Sequence, residues 1–410
     1  MGKSKDHFFI HAGPLLLVLF IDGMGLGLVI PVLNGLIFDP DSHFLPNVSY
    51  SPFMYNVIYG SVIGIFMLCW FFGAAILGDL SDQIGRKKSL IICLVGAFLS
   101  YLLSAVSVTY HSLILFIIGR MVAGFTSGSQ PIAQAAIIDL STKETKSRNI
   151  GYILLALSLG FIFGPLIGGV LADHRIVSWF DFATPFYFAS LISFLNILLL
   201  MWLFKETYVS EVTTFKIKIY EAVNIFISAF QHKKVRVLSI LFFIFIFGWS
   251  SFYSFISVYL YKTYEFNSSY ISFYLTLMGV GFGIGNGFIA NYLAKKFDLM
   301  AIFIGSSLLT GIIIFLMMVF PSLWFVWLMV APIACFVSTA YVSILTLFSN
   351  QVDDASQGWV MGITGSILAF VWGLNGVTVG LLAGFNVAYP IYISALCLGV
   401  TAVLSVFLRI

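Results

Sequence analysis

Apolar runs of about 20 to 30 residues, broken by short clusters of charge, glycine, proline, asparagine and serine, follow one another along nearly the whole chain. They cover residues 9–37, 54–77, 89–109, 112–140, 148–172, 182–204, 235–261, 268–294, 299–319, 321–349, 356–384 and 388–408. A bilayer-crossing helix needs about 20 consecutive apolar residues, so the pattern predicts twelve transmembrane helices. The longest runs imply tilt or extension beyond the lipid.

The connections between runs alternate in basic content. One set, with the chain ends, holds Arg86-Lys87-Lys88, Lys143, Lys146, Arg148, Lys205, Lys216, Lys218, Lys233, Lys234, Arg236, Lys295 and Lys296; of the 20 Lys and Arg, only Arg175, Lys262 and Arg120 fall elsewhere. Basic loops stay on the cytoplasmic side, so both termini are expected there and the helix count is even. The longest connection on that side divides the chain into a six-helix bundle over 1–204, a linker over 205–234 and a second bundle over 235–410. Within the linker, Phe215, Ile217, Ile219, Val223, Phe226, Ile227 and Phe230 fit either one face of an amphipathic helix lying on the membrane or an irregular segment with scattered apolar residues.

Composition removes the soluble alternatives. Of 410 residues, 60% are hydrophobic and 9% are charged, against roughly 25% charged in a soluble globular chain. A net charge of +3 follows from the loop asymmetry, and nucleic acid is not an expected partner; the lipid bilayer and a small-molecule substrate are. Cys69, Cys93, Cys335 and Cys397 lie inside apolar runs without metal-ligand spacing. The first run exceeds a signal-peptide core and reads as a retained helix. No H-E-x-x-H or G-x-S-x-G occurs, and the six histidines are dispersed, so neither an enzyme nor a metal site is expected.

Three motifs narrow the class. Gly78-Asp79-Leu80-Ser81-Asp82-Gln83-Ile84-Gly85-Arg86-Lys87-Lys88 joins the second and third runs, with Gly78 placed for close helix contact and Asp82 four residues before Arg86. In the fifth run Gly151, Gly160, Gly164, Pro165, Gly168 and Gly169 follow G-x8-G-x3-G-P-x2-G-G. Gly160, Gly164 and Gly168 form one smooth stripe for a neighbouring helix, and Pro165 removes a backbone bond. The first run holds Asp22-Gly23-Met24-Gly25-Leu26-Gly27 before Pro31, and the fourth holds Gly119-Arg120-Met121-Val122-Ala123-Gly124 and Asp139.

The first motif resembles the loop signature of the major facilitator superfamily, and the second is similar to the antiporter motif of its drug:proton exporters. The first and fourth runs look like those of tetracycline/proton antiporters. The resemblance covers most of residues 15–172 and thins afterwards, although Gln357-Gly358 with Gly362 still resembles the family. It implies the major facilitator fold, with twelve helices in two six-helix bundles, in a bacterial inner membrane. It further implies proton-coupled efflux of a small amphipathic solute or drug by a functional monomer, driven by the proton gradient without a cofactor. A proton-coupled carrier of a dedicated metabolite (siderophore, nucleoside, sugar or amino acid), exporting or importing, is the alternative.

Charge inside lipid points to the mechanism. A charged side chain at a helix centre costs about 2.5–3.5 kcal/mol on insertion scales, and only Asp22 and Arg120 lie deep within runs. Asp22 sits roughly 20 Å along the first helix at 1.5 Å per residue, near the midplane. Hydrated from alternate sides, it would load and release a proton; a static ion pair with Arg120 is the competing role. The resemblance implies a cytoplasmic gate in which Asp82 faces the start of the eleventh helix at Gln357 and Gly358. Arg86 would pair with Asp139, with Gly78, Gly85 and Arg148 completing the set; the same contacts would also serve folding alone. For the substrate cavity, the polar and aromatic candidates are Gln130 and Gln134, then Trp249, Tyr253, Asn286, Trp372 and Asn375.

Overall fold

A computed structural model describes residues 2–45, 50–142, 145–208, 220–353 and 356–408. Among the described residues there is no strand. The helices are α1 (Gly2–Phe38), α2 (Pro52–Ile84), α3 (Arg86–Thr109), α4 (Leu113–Thr126), α5 (Ser129–Asp139), α6 (Lys146–Ala172), α7 (Thr184–Leu203), α8 (Glu221–Gln231), α9 (Arg236–Tyr264), α10 (Ser268–Ile284), α11 (Ala290–Ala294), α12 (Leu299–Val319), α13 (Leu323–Asn350), α14 (Gln357–Phe385) and α15 (Tyr389–Phe407). A π-helical turn, Gly285–Ile289, joins α10 to α11. By length and composition, 12 of the resulting spans can cross a membrane, the fourth made of α4 and α5 and the eighth of α10, the π turn and α11. Helices suit this setting because lipid offers the backbone no hydrogen-bond partners. Tyr110, Trp179, Trp324 and Phe385, at helix ends or in the loops beside them, are exposed, as side chains of the membrane interface are.

The chain forms two compact units, Met1–Val48 with Leu68–Ala222, and Ser49–Met67 with Val223–Ile410. Helix α2 is therefore shared. Its first half packs within the second unit, where Tyr59 donates to the Ser254 carbonyl at 2.9 Å and lies 2.8 Å from Ser257 Oγ. Gly60 and Gly64 face Gly376 and Gly373 there without intervening side chains.

In the first unit, Leu15, Val18 and Leu19 of α1 pack with Leu90 and Leu94 of α3, Ile132, Ala133, Ala136 and Ile137 of α5, Ile153 of α6, and Leu200 of α7. Of the linker, α8 buries Ala222 and Ala229 and sets Phe226 against Phe370 with ring centroids 4.5 Å apart. Phe215, Ile217 and Ile219 lie outside the described residues.

Two expectations about helix continuity need correction. The second span does not end at residue 77: α2 runs on to Ile84, so the Gly78–Ile84 half of the loop motif is helical. The corner to α3 is one residue, Gly85, whose φ of +96° an L side chain rarely adopts. The fourth span, expected as one helix over 112–140, is interrupted at Ser127 and Gly128. Pro131 has no N–H to offer the Ser127 carbonyl and its ring crowds it. The gap is bridged by three-residue bonds, Gly128 N–H to Phe125 O and Gln130 N–H to Ser127 O.

Candidate functional site

The stripe of Gly160, Gly164 and Gly168 on α6 has α1 as its partner. A Cβ on Gly160 would meet Phe20 O at 2.5 Å, one on Gly164 Met24 O at 2.6 Å, and one on Gly168 Leu28 O at 2.8 Å. The fit is mutual: a Cβ on Gly23 would meet Leu157 O at 2.8 Å, and one on Gly27 the Pro165 ring at 2.6 Å. Backbone touches backbone, and the glycines on both sides permit it. Gly169 is buried. Gly151 and Gly78 behave differently: a Cβ on either meets nothing within 4 Å among the described residues, so the close contact expected at Gly78 is not made, because its side faces open space.

This interlock sets the position of Asp22, one residue before Gly23. Its carboxylate accepts a hydrogen bond of 2.7 Å from Ser129 Oγ, the first residue of α5. Tyr101 of α3 rests its hydroxyl against Gly25 and lies within electrostatic reach of both Asp22 and Arg120. Cys93, two turns earlier on α3, is buried within electrostatic reach of Asp22. Arg120 is 3% exposed. The site is thus a set of charged and hydroxyl groups on α1, α3, α4 and α5, in which a hydroxyl holds the carboxylate. Ser129 and Tyr101 were not singled out from the sequence. Gly128 and Pro131 around Ser129 carried the signal, since together they break a span at that depth.

At the basic end of the same unit, Arg86 lies between two carboxylates, with Asp82 Oδ1 at 2.7 Å and Asp139 Oδ2 at 3.6 Å. It also donates to Ser81 Oγ at 2.7 Å and stacks its guanidinium over Tyr208, 5.0 Å from the ring centroid. Arg148 is exposed at the start of α6. Glu206, beyond α7, is a further participant. Its carboxylate accepts the N–H of Arg86 at 2.9 Å and of Lys87 at 3.1 Å, capping α3 where Gly85 has no side chain to do so. Lys87 returns the favour, donating Nζ to the Met201 and Phe204 carbonyls at 2.8 and 2.6 Å, at the C-terminal end of α7. A carboxylate at a helix start and an ammonium at a helix end both suit the helix dipole.

In the second unit, Trp249, Tyr253 and Trp372 come together. Tyr253 lies 5.7 Å from Trp249 and 5.6 Å from Trp372, and Phe282 of α10 completes the cluster 5.6 Å from Trp249. Asn286 lies in the π turn, its carboxamide oxygen buried without a hydrogen-bond partner among the described residues. Asn375 donates to Ser251 Oγ at 2.6 Å and to the Phe247 carbonyl at 3.1 Å, and its oxygen, like that of Asn286, is buried without a hydrogen-bond partner among the described residues. Gln357 bonds Ser349 of α13 through both ends of its amide, and Gly358 is exposed beside it. Gln130 and Gln134, both partly buried, belong to α5 in the first unit. Among the described residues no group of three or more His, Cys, Asp or Glu is placed to hold a metal ion.

Comparison with known proteins identifies the family. The profile of the Major Facilitator Superfamily matches residues 15–377. A tetracycline resistance protein, class C, of Escherichia coli is 26% identical over 376 residues, 88% of this chain and 85% of its own length. The quinolone resistance protein NorA of Staphylococcus aureus is 25% identical over 385 residues, 92% of this chain and 90% of its own. Among solved structures, the human organic anion transporter MFSD10 superposes with a TM-score of 0.70 over 98% of both chains at 20% identity, a likeness of fold. The chain is a multi-pass membrane protein with 12 candidate spans, and it belongs to the major facilitator superfamily.

Proposed function

We propose that this protein exports a small amphipathic solute in exchange for protons, by alternating access, with Asp22 as the proton carrier. The observation that carries this reading is the Asp22 carboxylate, deep in α1 and held by the Ser129 hydroxyl, with Tyr101 within electrostatic reach of both Asp22 and buried Arg120. An intramembrane carboxylate is expensive to keep charged and is a functional group by default. The resistance for which the relatives are named, to tetracycline and to quinolones, favours export and sets the first solutes to try.

In this reading Arg86, Asp82 and Asp139 form the cytoplasmic gate, and Glu206 and Lys87 hold its backbone in place. The Lys- and Arg-rich ends of the helices face the cytoplasm of a bacterial cell. The cluster of Trp249, Tyr253, Phe282 and Trp372 offers the flat apolar faces that an amphipathic solute needs, and the unpartnered Asn286 oxygen, one turn beyond Phe282 in sequence, is the candidate polar contact. A single chain carries all of these parts, so the working unit is a monomer.

The test uses the whole protein in proteoliposomes with an imposed pH gradient, screened against tetracyclines, quinolones and a panel of metabolites. A pH dye reports proton movement and labelled solute reports accumulation. Solute-dependent proton movement that disappears in Asp22→Asn is the expected result. Accumulation against a gradient that persists in Asp22→Asn would remove Asp22 as the carrier.

A further inference from the structure

Helix α5 has a feature at each end. Its first residue, Ser129, donates to Asp22 at 2.7 Å, and its last, Asp139, lies 3.6 Å from Arg86. At 1.5 Å per residue the two ends stand about 15 Å apart. Its N-terminal end is detached from α4 by the turn at Ser127 and Gly128. Its inner face, Ile132, Ala133, Ala136 and Ile137, packs in the core of the unit against α1 and α3, and its own backbone bonds make it a single stiff segment of 11 residues. Just beyond its C-terminal end, Ser141 receives a bond of 2.8 Å from the amide of buried Asn149 on α6.

We propose that Ser129 is a positioning residue for proton coupling: it ties α5 to the charged Asp22 carboxylate, and α5 transmits the loss of that tie to the Asp139–Arg86 pair. The inference rests on the assignment of Asp22 as proton carrier and adds the route from carrier to gate. A hydroxyl bonded to a carboxylate makes a charge-assisted bond that weakens when the carboxylate gains its proton. Ser129 is 3% exposed in this conformation, so water is not at hand there to compensate the weakened bond. The short α5 then settles differently against α1, and Asp139 at its far end moves with it. An unbroken α4–α5 helix would resist this shift, whereas a turn at the level of the carboxylate allows it.

From the neighbouring elements, Ser129 of α5 bonds Asp22, Cys93 and Tyr101 of α3 lie within electrostatic reach of it, and Arg120 of α4 lies within reach of Tyr101. Helix α6 presents Leu157 and Gly160 to the adjoining Gly23. Asp22 is the acidic residue of this set.

Hydrogen–deuterium exchange of the reconstituted full-length protein, followed over a pH series, separates the cases. In the wild type, exchange at residues 84–90 and 137–142 should change together with pH, and Asp22→Asn should remove that component. Ser129→Cys, nearly the same size with a weak donor, and Ser129→Ala should flatten the response while exchange across α9–α15 stays as in the wild type. Ser129→Thr should restore it. A response that survives in Ser129→Cys and Ser129→Ala but vanishes in Asp22→Asn overturns the role of Ser129 and leaves Asp22 as carrier. A response that survives in Asp22→Asn together with uphill transport overturns both.

Discussion

Adding one methyl group to each glycine of the α6 stripe tests whether the α1–α6 interlock positions the proton site. The Cβ of Gly160→Ala would lie 2.5 Å from Phe20 O, that of Gly164→Ala 2.6 Å from Met24 O, and that of Gly168→Ala 2.8 Å from Leu28 O. Comfortable contact begins near 3.5 Å, so α1 must retreat by roughly 0.7 to 1 Å at each site. The obstructing atoms are backbone, which cannot rotate away. Overpacking of this kind costs about 1–3 kcal/mol per site. Gly151→Ala is the internal control, since a Cβ there meets nothing within 4 Å among the described residues. The expected order of thermal stability in detergent is wild type, equal to Gly151→Ala, then Gly168→Ala, then Gly164→Ala and Gly160→Ala. Because α1 carries Asp22, a retreat also stretches its 2.7 Å bond to Ser129, so proton-coupled transport should fall further than stability alone requires. Gly160→Ala with wild-type stability and wild-type transport would refute the reasoning, as would a Gly151→Ala variant as damaged as Gly160→Ala.

Other outcomes follow from the same contacts. Glu206→Ala should cost about 1–2 kcal/mol through loss of the α3 cap and slow transport by freeing Arg86. Gly85→Ala should cost at least as much because its φ is +96° and a Cβ would displace the Glu206 carboxylate, and a double-mutant cycle should show the two losses to be less than additive. Asn375→Leu should lower stability by about 1–3 kcal/mol, because Ser251 and the Phe247 carbonyl lose their buried donor, yet leave the apparent affinity for solute unchanged. A raised KM would return Asn375 to the solute site. At the start of α14, the bond between Asp353 and Ser356 holds the Asp353 carboxyl below its usual range. A depressed value means that its contribution is present above the ordinary carboxylate range and is lost as pH falls through the folded-state value. Exchange at residues 351–360 should therefore rise on acidification, and Asp353→Asn should abolish that rise.

Sequence alone determined the number and placement of the spans, because lipid imposes a length and an apolar composition on every crossing helix and leaves basic residues for the loops. It also marked the residues at which chemistry is concentrated: Asp22 and Arg120 stand out because charge is rare at that depth, and Asp82 stands four residues before Arg86, although the pair closes across the Gly85 corner between two helices and not along one. The stripe of Gly160, Gly164 and Gly168 announced a close helix neighbour, but one helix cannot name its partner. Only tertiary structure showed it to be α1, whose own glycines fit the other side. Nor could spacing place Ser129 against Asp22 or Glu206 against Arg86, since these pairs lie 107 and 120 residues apart and meet only when the unit folds. The division of α2 between two units was equally hidden, for a uniformly apolar helix carries no mark of which neighbour each half will meet. Hydrophobic pattern reports what a residue avoids, namely water, whereas hydrogen bonds and backbone contacts between distant helices depend on the path of the whole chain.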